Sequence, residues 1–258
     1  MSFTAGSAPG LHVKRSPQLE TGRRSIAGLA AIESALDSGE PIRVLLLMRE
    51  ARPEEEQLAA RALAAGATLW RGSDGDLFRM GRGPEPARIL AMVGMEPTAR
   101  DITELLARPG AVWLLSGASY PSNVGFAIRT AEVSGATGLI VDGEFSGAQR
   151  SRARHVSMGA HRLLPVLYAD SSEVIEVAKS AGRAVVAIED VGAVAPWDVD
   201  LTGEVLIVLG NERSGLCESV LAAADSTVRI PMAGFVPSYN LQAAMTAIAT
   251  ERLRQVTD

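Results

Sequence analysis

The sequence predicts an α/β protein in two parts: a small N-terminal α/β unit and a larger unit built on a mostly parallel sheet. Three observations carry this reading. Short apolar runs alternate with stretches whose apolar residues recur at helical spacing, as parallel strands covered by crossover helices require. A stretch over 95–110, holding Pro97 and Pro109-Gly110, interrupts that alternation. Beyond it, apolar runs end in loops of Gly, Ser and Asn, where open α/β sheets receive their ligands.

The elements follow in order. Residues 1–22 contain Gly, Ser and Pro and few apolar side chains, and read as a flexible tail. Lys14, Arg15, Arg23 and Arg24 are candidates for phosphate contact, with plain solvation as the alternative. A first unit is expected over 23–96. Ile26, Leu29, Ala30, Ile32 and Leu36 recur at helical spacing and predict a helix over 25–38, ended by Gly39. Ile42 to Met48 reads as a buried strand. Glu54 to Ala65 is an amphipathic helix with three acids in its first turn, favourable for the helix dipole. Short strands follow at 67–70 and 89–93, and a linker over 97–110. A second unit over 111–258 has strands at 111–115, 137–141, 163–167, 184–188, 205–209 and 227–230. Helices are expected at 123–134, 172–181, 216–223 and 241–254, the last capped by Ser238 or Asn240.

Composition narrows the classes of function. The chain is 47% hydrophobic, enough for a sizeable core, but only 4% aromatic, so that core is mainly aliphatic. The single cysteine, Cys217, cannot form an intrachain disulfide and reads as a small core residue, which suits a reducing compartment. No apolar run approaches membrane-spanning length and no apolar signal core opens the chain, so a cytoplasmic protein without membrane contact is expected. The net charge of −5 excludes nucleic-acid binding by bulk charge, and neither 1–105 nor 106–258 is basic by formal count. A local patch has to serve instead. Residues 150–162 supply Arg150, Arg152, Arg154 and Arg162, and no acid occurs from Phe145 to Ala169. Arginine binds phosphate bidentately, so these four are the candidate RNA-binding residues, with a solvated helix face as the alternative. His155 and His161 lack a third His or a Cys partner and make no convincing metal pair, so no metal is expected.

Three motifs give the function. They are Asn123-x-Gly125-x-x-x-Arg129-Thr130-Ala131, Gly210-Asn211-Glu212-x-x-Gly215 and Ile230-Pro231-Met232-x-Gly234-x-x-x-Ser238-x-Asn240. Taken together and in this order, they resemble the motifs of the SpoU (TrmH-like) RNA 2′-O-ribose methyltransferases of the SPOUT superfamily, a likeness covering roughly residues 24–251. Ser157-x-Gly159-Ala160 is similar to the small-residue segment of the same family. The sequence departs from the usual Ser-Leu-Asn-Val at the last motif, reading Ser238-Tyr239-Asn240-Leu241.

The resemblance implies a SPOUT domain whose C-terminal part, about 205–251, is tied in a deep trefoil knot, preceded by a small RNA-selecting domain. It implies S-adenosylmethionine as methyl donor, RNA (ribosomal first, transfer RNA next) as substrate, and a homodimer in which the arginine and the cofactor come from different subunits. It assigns Arg129 to the ribose 2′-hydroxyl. A base, a hydrogen-bond donor that polarises the hydroxyl, and a partner to an RNA phosphate are all compatible roles, since guanidinium normally stays protonated. Asn123, Glu212, Ser238 and Asn240 complete the catalytic set, with Glu212 orienting Arg129 or Asn123. Gly210, Ile230 and Tyr239 are assigned to the cofactor largely through main-chain groups, and Asn211 and Leu241 are assigned to it as well. Leu209, Met232 and Gly234 are assigned to its adenine pocket. Glu251 matches a glutamate of the family's last helix, where a helix-surface role serves equally. A catalytically silent RNA-binding relative is the alternative, and the presence of all five catalytic positions counts against it. A dinucleotide oxidoreductase is disfavoured because no G-x-G-x-x-G follows the first strand.

Overall fold

The computed structural model describes residues 22–73, 75–77 and 87–257; residues 1–21 of the expected tail lie outside the described residues. The N-terminal unit is a four-stranded sheet in the order β1-β4-β2-β3, formed by β1 (Arg24–Ala27), β2 (Ile42–Met48), β3 (Thr68–Gly72) and β4 (Ile89–Val93). Strands β2 and β3 run parallel, and β4 lies antiparallel between β1 and β2. Helices α1 (Leu29–Asp37) and α2 (Pro53–Ala64) cover one face, burying Ile32, Leu45, Leu47, Leu58 and Ile89 together. The expected helix over 25–38 is corrected here. Arg24–Ala27 pairs with β4, and Gly28, at φ +88°, turns the chain into a helix that begins only at Leu29. Glycine reaches that left-handed region without steric cost.

The expected linker over 97–110 is also corrected, because it contains helix α3 (Ile102–Leu106). Asp101 caps that helix by accepting from the Glu104 amide at 2.8 Å, and Ile102, Leu105 and Leu106 are buried in the core of the second unit. Arg183, itself buried, ties the segment down by donating to the carbonyls of Leu106 (2.6 Å), Gly110 (2.6 Å) and Arg108.

The second unit is a six-stranded sheet in the order β10-β8-β9-β5-β6-β7, every neighbouring pair parallel. Its strands are β5 (Val112–Leu115), β6 (Gly138–Val141), β7 (Val166–Tyr168), β8 (Ala184–Ile188), β9 (Val205–Leu209) and β10 (Ser226–Val228). Alternate side chains feed two cores, as the two-residue strand period dictates. Trp113, Leu115, Ile207 and Leu209 pack under α4 (Pro121–Val133), α5 (Gly147–Val156) and α8 (Leu241–Gln255). Val112, Leu114, Leu206 and Val208 face α3, α6 (Ser171–Ser180) and α7 (Glu218–Ala223). Both faces are covered, which is why the strands read as continuous apolar runs. The strand order reverses at β5: the chain winds outward to β6 and β7, then returns to place β9 on the other side of β5. Ligands of such sheets bind beyond the carboxyl ends of strands at that reversal. No described helix is long and apolar enough to cross a membrane.

Candidate active site at the β5–β9 crevice

Two loops meet where β5 and β9 end. The loop after β9 is closed by reciprocal main-chain bonds, Asn211 N to Gly215 O at 3.1 Å and Gly215 N to Asn211 O at 3.0 Å. Asn211 Oδ1 accepts from the amides of Arg213 (2.8 Å) and Ser214 (3.1 Å), the local side-chain turn that asparagine favours. A Cβ on Gly210 would sit 2.6 Å from Leu216 N, so only glycine fits the turn. Gly215 takes φ +66°, and Glu189 lies against it, its Oε2 accepting from Leu216 N at 2.7 Å. Across the crevice, Asn211 Nδ2 donates to Gly117 O (2.5 Å) and Ser119 Oγ (2.8 Å).

Glu212 reaches the same side. Its carboxylate accepts from Asn123 Nδ2 at 2.8 Å and from Ser119 N at 3.2 Å. Asn123 lies in the first turn of α4, which begins at Pro121 rather than at Asn123; Tyr120 occupies the N-cap position. Arg213 stands beside them, its Nε and Nη2 donating to Tyr120 Oη at 2.9 and 2.6 Å.

Arg129 is not drawn into this cluster. It lies six residues beyond Asn123, about 9 Å along the helix axis. It is exposed, and no hydrogen bond or ion pair joins it to another described residue. Phe126 (43% exposed) and Val133 (64% exposed) flank it on the outward face of α4. The carboxylate of Glu212 therefore orients Asn123, and Arg129 stands apart from both.

The last motif forms an open strap. From Ile230 to Tyr239 no main-chain N–H or C=O pairs with another described main-chain group. Ile230 packs against the core, and Met232 is half-buried. Gly234, Ser238 and Tyr239 are exposed. Leu209 and Leu241 are core side chains, and the Leu209 carbonyl accepts from Ser116 N at 2.8 Å. Tyr239 Oη donates to Pro231 O at 3.2 Å, closing the strap across its own base, a bond that leucine at this position could not make. Asn240 caps α8 by accepting from Gln242 N at 2.9 Å, and neither it nor Ser238 bonds to Arg129 among the described residues. Glu251, largely covered, pairs with Arg254 at 2.7 Å and accepts from Gln255 Nε2 at 2.9 Å.

The four candidate phosphate ligands separate. Arg150 and Arg154, one turn apart on α5, line a groove against β7; Arg152 is exposed and does not line it. Arg162 sits over the Trp70 ring at 5.3 Å, at the junction with the N-terminal unit. Cys217, expected in the core, is exposed instead: it occupies the N-cap of α7 with its Sγ 3.2 Å from Ser219 Oγ. Among the described residues no three His, Cys, Asp or Glu side chains gather at metal-binding distance.

Sequence reasoning missed Ser119, Tyr120, Arg213 and Glu189. The first three lie inside loops that the strand ends already marked. Nothing local distinguishes Glu189, which follows β8 and meets Gly215 only through the fold.

A family model described as the SpoU rRNA methylase family matches residues 111–250. A 23S rRNA (uridine(2479)-2′-O)-methyltransferase of Streptomyces viridochromogenes is 31% identical over 250 residues, covering 93% of this chain and 86% of that protein. A 23S rRNA (guanosine-2′-O-)-methyltransferase RlmB of Pseudomonas syringae is 33% identical over 158 residues, 60% of this chain and 63% of its own. Among solved structures, an AdoMet-bound rRNA methyltransferase from Sinorhizobium meliloti superposes with a TM-score of 0.57 at 27% identity, covering 92% of this chain and 88% of that one. The SpoU methyltransferase AviRb from S. viridochromogenes, in complex with AdoMet, gives 0.54 at 30% identity, with 91% and 90% covered.

Proposed function

The chain belongs to the SpoU rRNA methylase family, and on that premise we propose that it transfers a methyl group from S-adenosylmethionine to a ribose 2′-hydroxyl of ribosomal RNA. The observation that carries this is the crevice at the β5–β9 reversal, where Glu212 holds Asn123, together with a strap over 230–239 whose main-chain groups pair with no other described main-chain group.

The residues present fit the cofactor. The strap 230–239 offers amides and carbonyls that pair with no other described main-chain group, and the half-buried Ile230 and Met232 add apolar side chains within it. We assign cofactor contact to Leu209, Gly210, Asn211, Ile230, Met232, Gly234, Tyr239 and Leu241. S-adenosylmethionine supplies an electrophilic methyl carbon on a sulfonium centre, so the protein's task is alignment and the handling of one proton.

Glu212 fixes Asn123, whose amide is thereby held at the mouth of the crevice. Arg129 is the residue we assign to the attacking hydroxyl. A guanidinium that stays protonated acts as a donor: it holds the ribose oxygen and stabilises the charge developing on it, and the proton leaves to an RNA phosphate oxygen or to water. Ser238 and Asn240 hold the strap's exit at the start of α8.

We further propose a homodimer with composite sites. No hydrogen bond or ion pair joins Arg129 to Glu212 or to the strap among the described residues, and it sits between exposed Phe126 and Val133 on the outward face of α4. Pairing of that face with a second copy covers the apolar residues and delivers Arg129 to the partner's crevice. The knot over 205–251 and a cytoplasmic site of action complete the reading on family grounds.

The test is ligand-induced thermal stabilisation together with subunit mixing. S-adenosylhomocysteine at 100 times its Kd is expected to add about 2.7 kcal/mol to stability, and NAD nothing. Mixing inactive Arg129→Ala and Glu212→Ala chains is expected to restore part of the activity through hybrid dimers. Absence of any cofactor-induced shift would leave a silent RNA-binding relative. Absence of complementation, with both variants folded and dimeric, would remove the shared site.

A further inference from the structure

A second binding feature lies outside this crevice. Helix α5, the edge strand β7 and Pro97–Ala99 enclose a groove of about 320 Å³, at the small end of the range for ligand pockets. Its chemistry divides cleanly. Pro97, Ile128 and the strand supply apolar wall, and Arg150 and Arg154 supply the charge, with no carboxylate in the lining.

Three side chains form a fixed stack at one end. The Arg150 guanidinium carbon lies 4.0 Å above the centre of the Tyr168 ring, and Phe145 meets the same ring edge-on at 6.2 Å. Arg150 Nε donates to Phe145 O at 3.1 Å, which fixes the plane of the guanidinium. Arg154 is exposed one turn along, with no acid from Phe145 to Ala169 to neutralise it.

His161 adds a directional acceptor. The buried Ser157 hydroxyl donates its one proton to Arg154 O at 2.7 Å, so it accepts from His161 Nδ1 at 2.8 Å. That leaves Nε2 as the ring's lone-pair acceptor. Burial, and then the charges of Arg162 and Arg154, hold the His161 pKa below its ordinary value, so the ring is neutral at physiological pH.

A flat cationic platform, a free guanidinium, apolar walls and a neutral acceptor together suit one chemical class. We propose that this groove holds an unpaired nucleotide of the RNA substrate, its base stacked on the Arg150–Tyr168 pair and its phosphate on Arg154. Bases released from a helix stack on guanidinium planes and aromatic rings in this way, and an amino or 2′-hydroxyl group of the nucleotide donates to His161. The proposal rests on the methyltransferase reading and adds a second grip on the same RNA. Its position fits. Ile128 lines the groove and Arg129, next in sequence, lies on the outward face of the same helix. The N-terminal unit docks at the groove's foot, with Arg23 Nη1 donating to Leu163 O at 2.8 Å and Trp70 beneath Arg162.

The test uses the full chain saturated with S-adenosylhomocysteine and a fluorescent six-nucleotide oligouridylate, read by anisotropy. Arg150→Ala, Arg154→Ala and Tyr168→Ala are each expected to weaken binding about tenfold, while Lys179→Ala, on the far helix α6, matches wild type. All four variants are expected to keep the wild-type shift with S-adenosylhomocysteine, which shows them folded with an intact crevice. Unchanged RNA affinity in the three groove variants, or displacement of the oligonucleotide by polyglutamate at equal charge concentration, would overturn the subsite. A wild type that shows no cofactor shift at all would remove its premise, and is distinguished from those outcomes by that same control.

Discussion

Gly125→Ala tests whether helix packing, rather than chain flexibility, demands the glycine of the first motif. Gly125 is buried in the middle of α4, where glycine is about 1 kcal/mol worse than alanine by propensity alone. The structure supplies the opposing term. A Cβ at this position would lie 2.6 Å from Ala153 O and 2.6 Å from Val156 Cβ, both on α5. Carbon atoms pack best near 3.5–4.0 Å, so α5 must retreat by roughly 1 Å. Neither neighbour is the tip of a flexible side chain, which places the cost toward the upper part of the usual ~1–3 kcal/mol for overpacking. Set against the propensity gain, the net loss is about 1–2 kcal/mol, or a Tm lower by roughly 2–8 °C for a chain this size. Gly147→Ala is the control: it lies at the first residue of α5 with nothing within 4 Å of its Cβ, and is expected to be neutral or slightly stabilising. Urea denaturation of the three proteins reads both effects. A Gly125→Ala chain as stable as Gly147→Ala would refute the packing argument, because it would mean that α4 and α5 are not held this close.

The remaining predictions concern the supports of each unit. Arg183→Met leaves the carbonyls of Leu106, Arg108 and Gly110 without their buried donor and is expected to cost about 3 kcal/mol by denaturant unfolding, with Arg183→Lys recovering only part of it. The Glu55 carboxyl is 2% exposed; burial works to raise its pKa, but the Arg88 side chain at 2.8 Å and the Arg52 amide at 2.7 Å outweigh it and the net shift is downward. A depressed carboxyl pKa stabilises fully above its unfolded value near ~4.3 and fades as pH falls through the folded value. The Tm gap between wild type and Glu55→Gln is therefore expected to be constant above about pH 5 and to close below about pH 4; a gap that persists at the lowest pH would contradict this. In a double-mutant cycle of Asn123→Ala and Glu212→Ala, the coupling energy is expected to be about 1 kcal/mol, as for a half-exposed hydrogen bond to a charged group, and a value near zero would show that the pair is not formed in solution.

The parallel sheet was legible because its strands are buried on both faces. Stretches such as 111–115 and 205–209 are apolar without interruption, and turn residues bound them. Helix α5 escaped the reading of helices because only Ala153 on it is buried, leaving no apolar period to detect. Its capping box, Ser146 with Gln149, was the available signal. The same kind of signal, Asp101 with Glu104, marked α3 inside a stretch that its prolines made look like a linker. Strand β1 was absorbed into a false helix because Ile26 happens to stand in phase with Leu29 and Ala30, and the one contrary mark was Gly28. At the site, the motifs placed the loops, but not what joins them. Asn123 and Glu212 are 89 residues apart and meet because β5 and β9 are neighbours, while Glu189 and Leu216, 27 residues apart, meet because β8 and β9 are neighbours. The basic segment was legible as charge. Its division into a groove-lining pair and two outlying arginines follows from the helical turn and from Trp70, a residue of the other unit.

The most direct measurement is transfer of a labelled methyl group from S-adenosylmethionine to ribosomal and transfer RNA purified from cells lacking the gene, with Arg129→Ala alongside. Label is expected in ribosomal RNA at a single nucleotide, with the following phosphodiester resistant to alkali because the 2′-hydroxyl is blocked. Arg129→Ala is expected to lose that label while S-adenosylhomocysteine binding persists. Label that is alkali-sensitive and located on a base, or full activity in Arg129→Ala, would contradict the ribose chemistry assigned to this crevice.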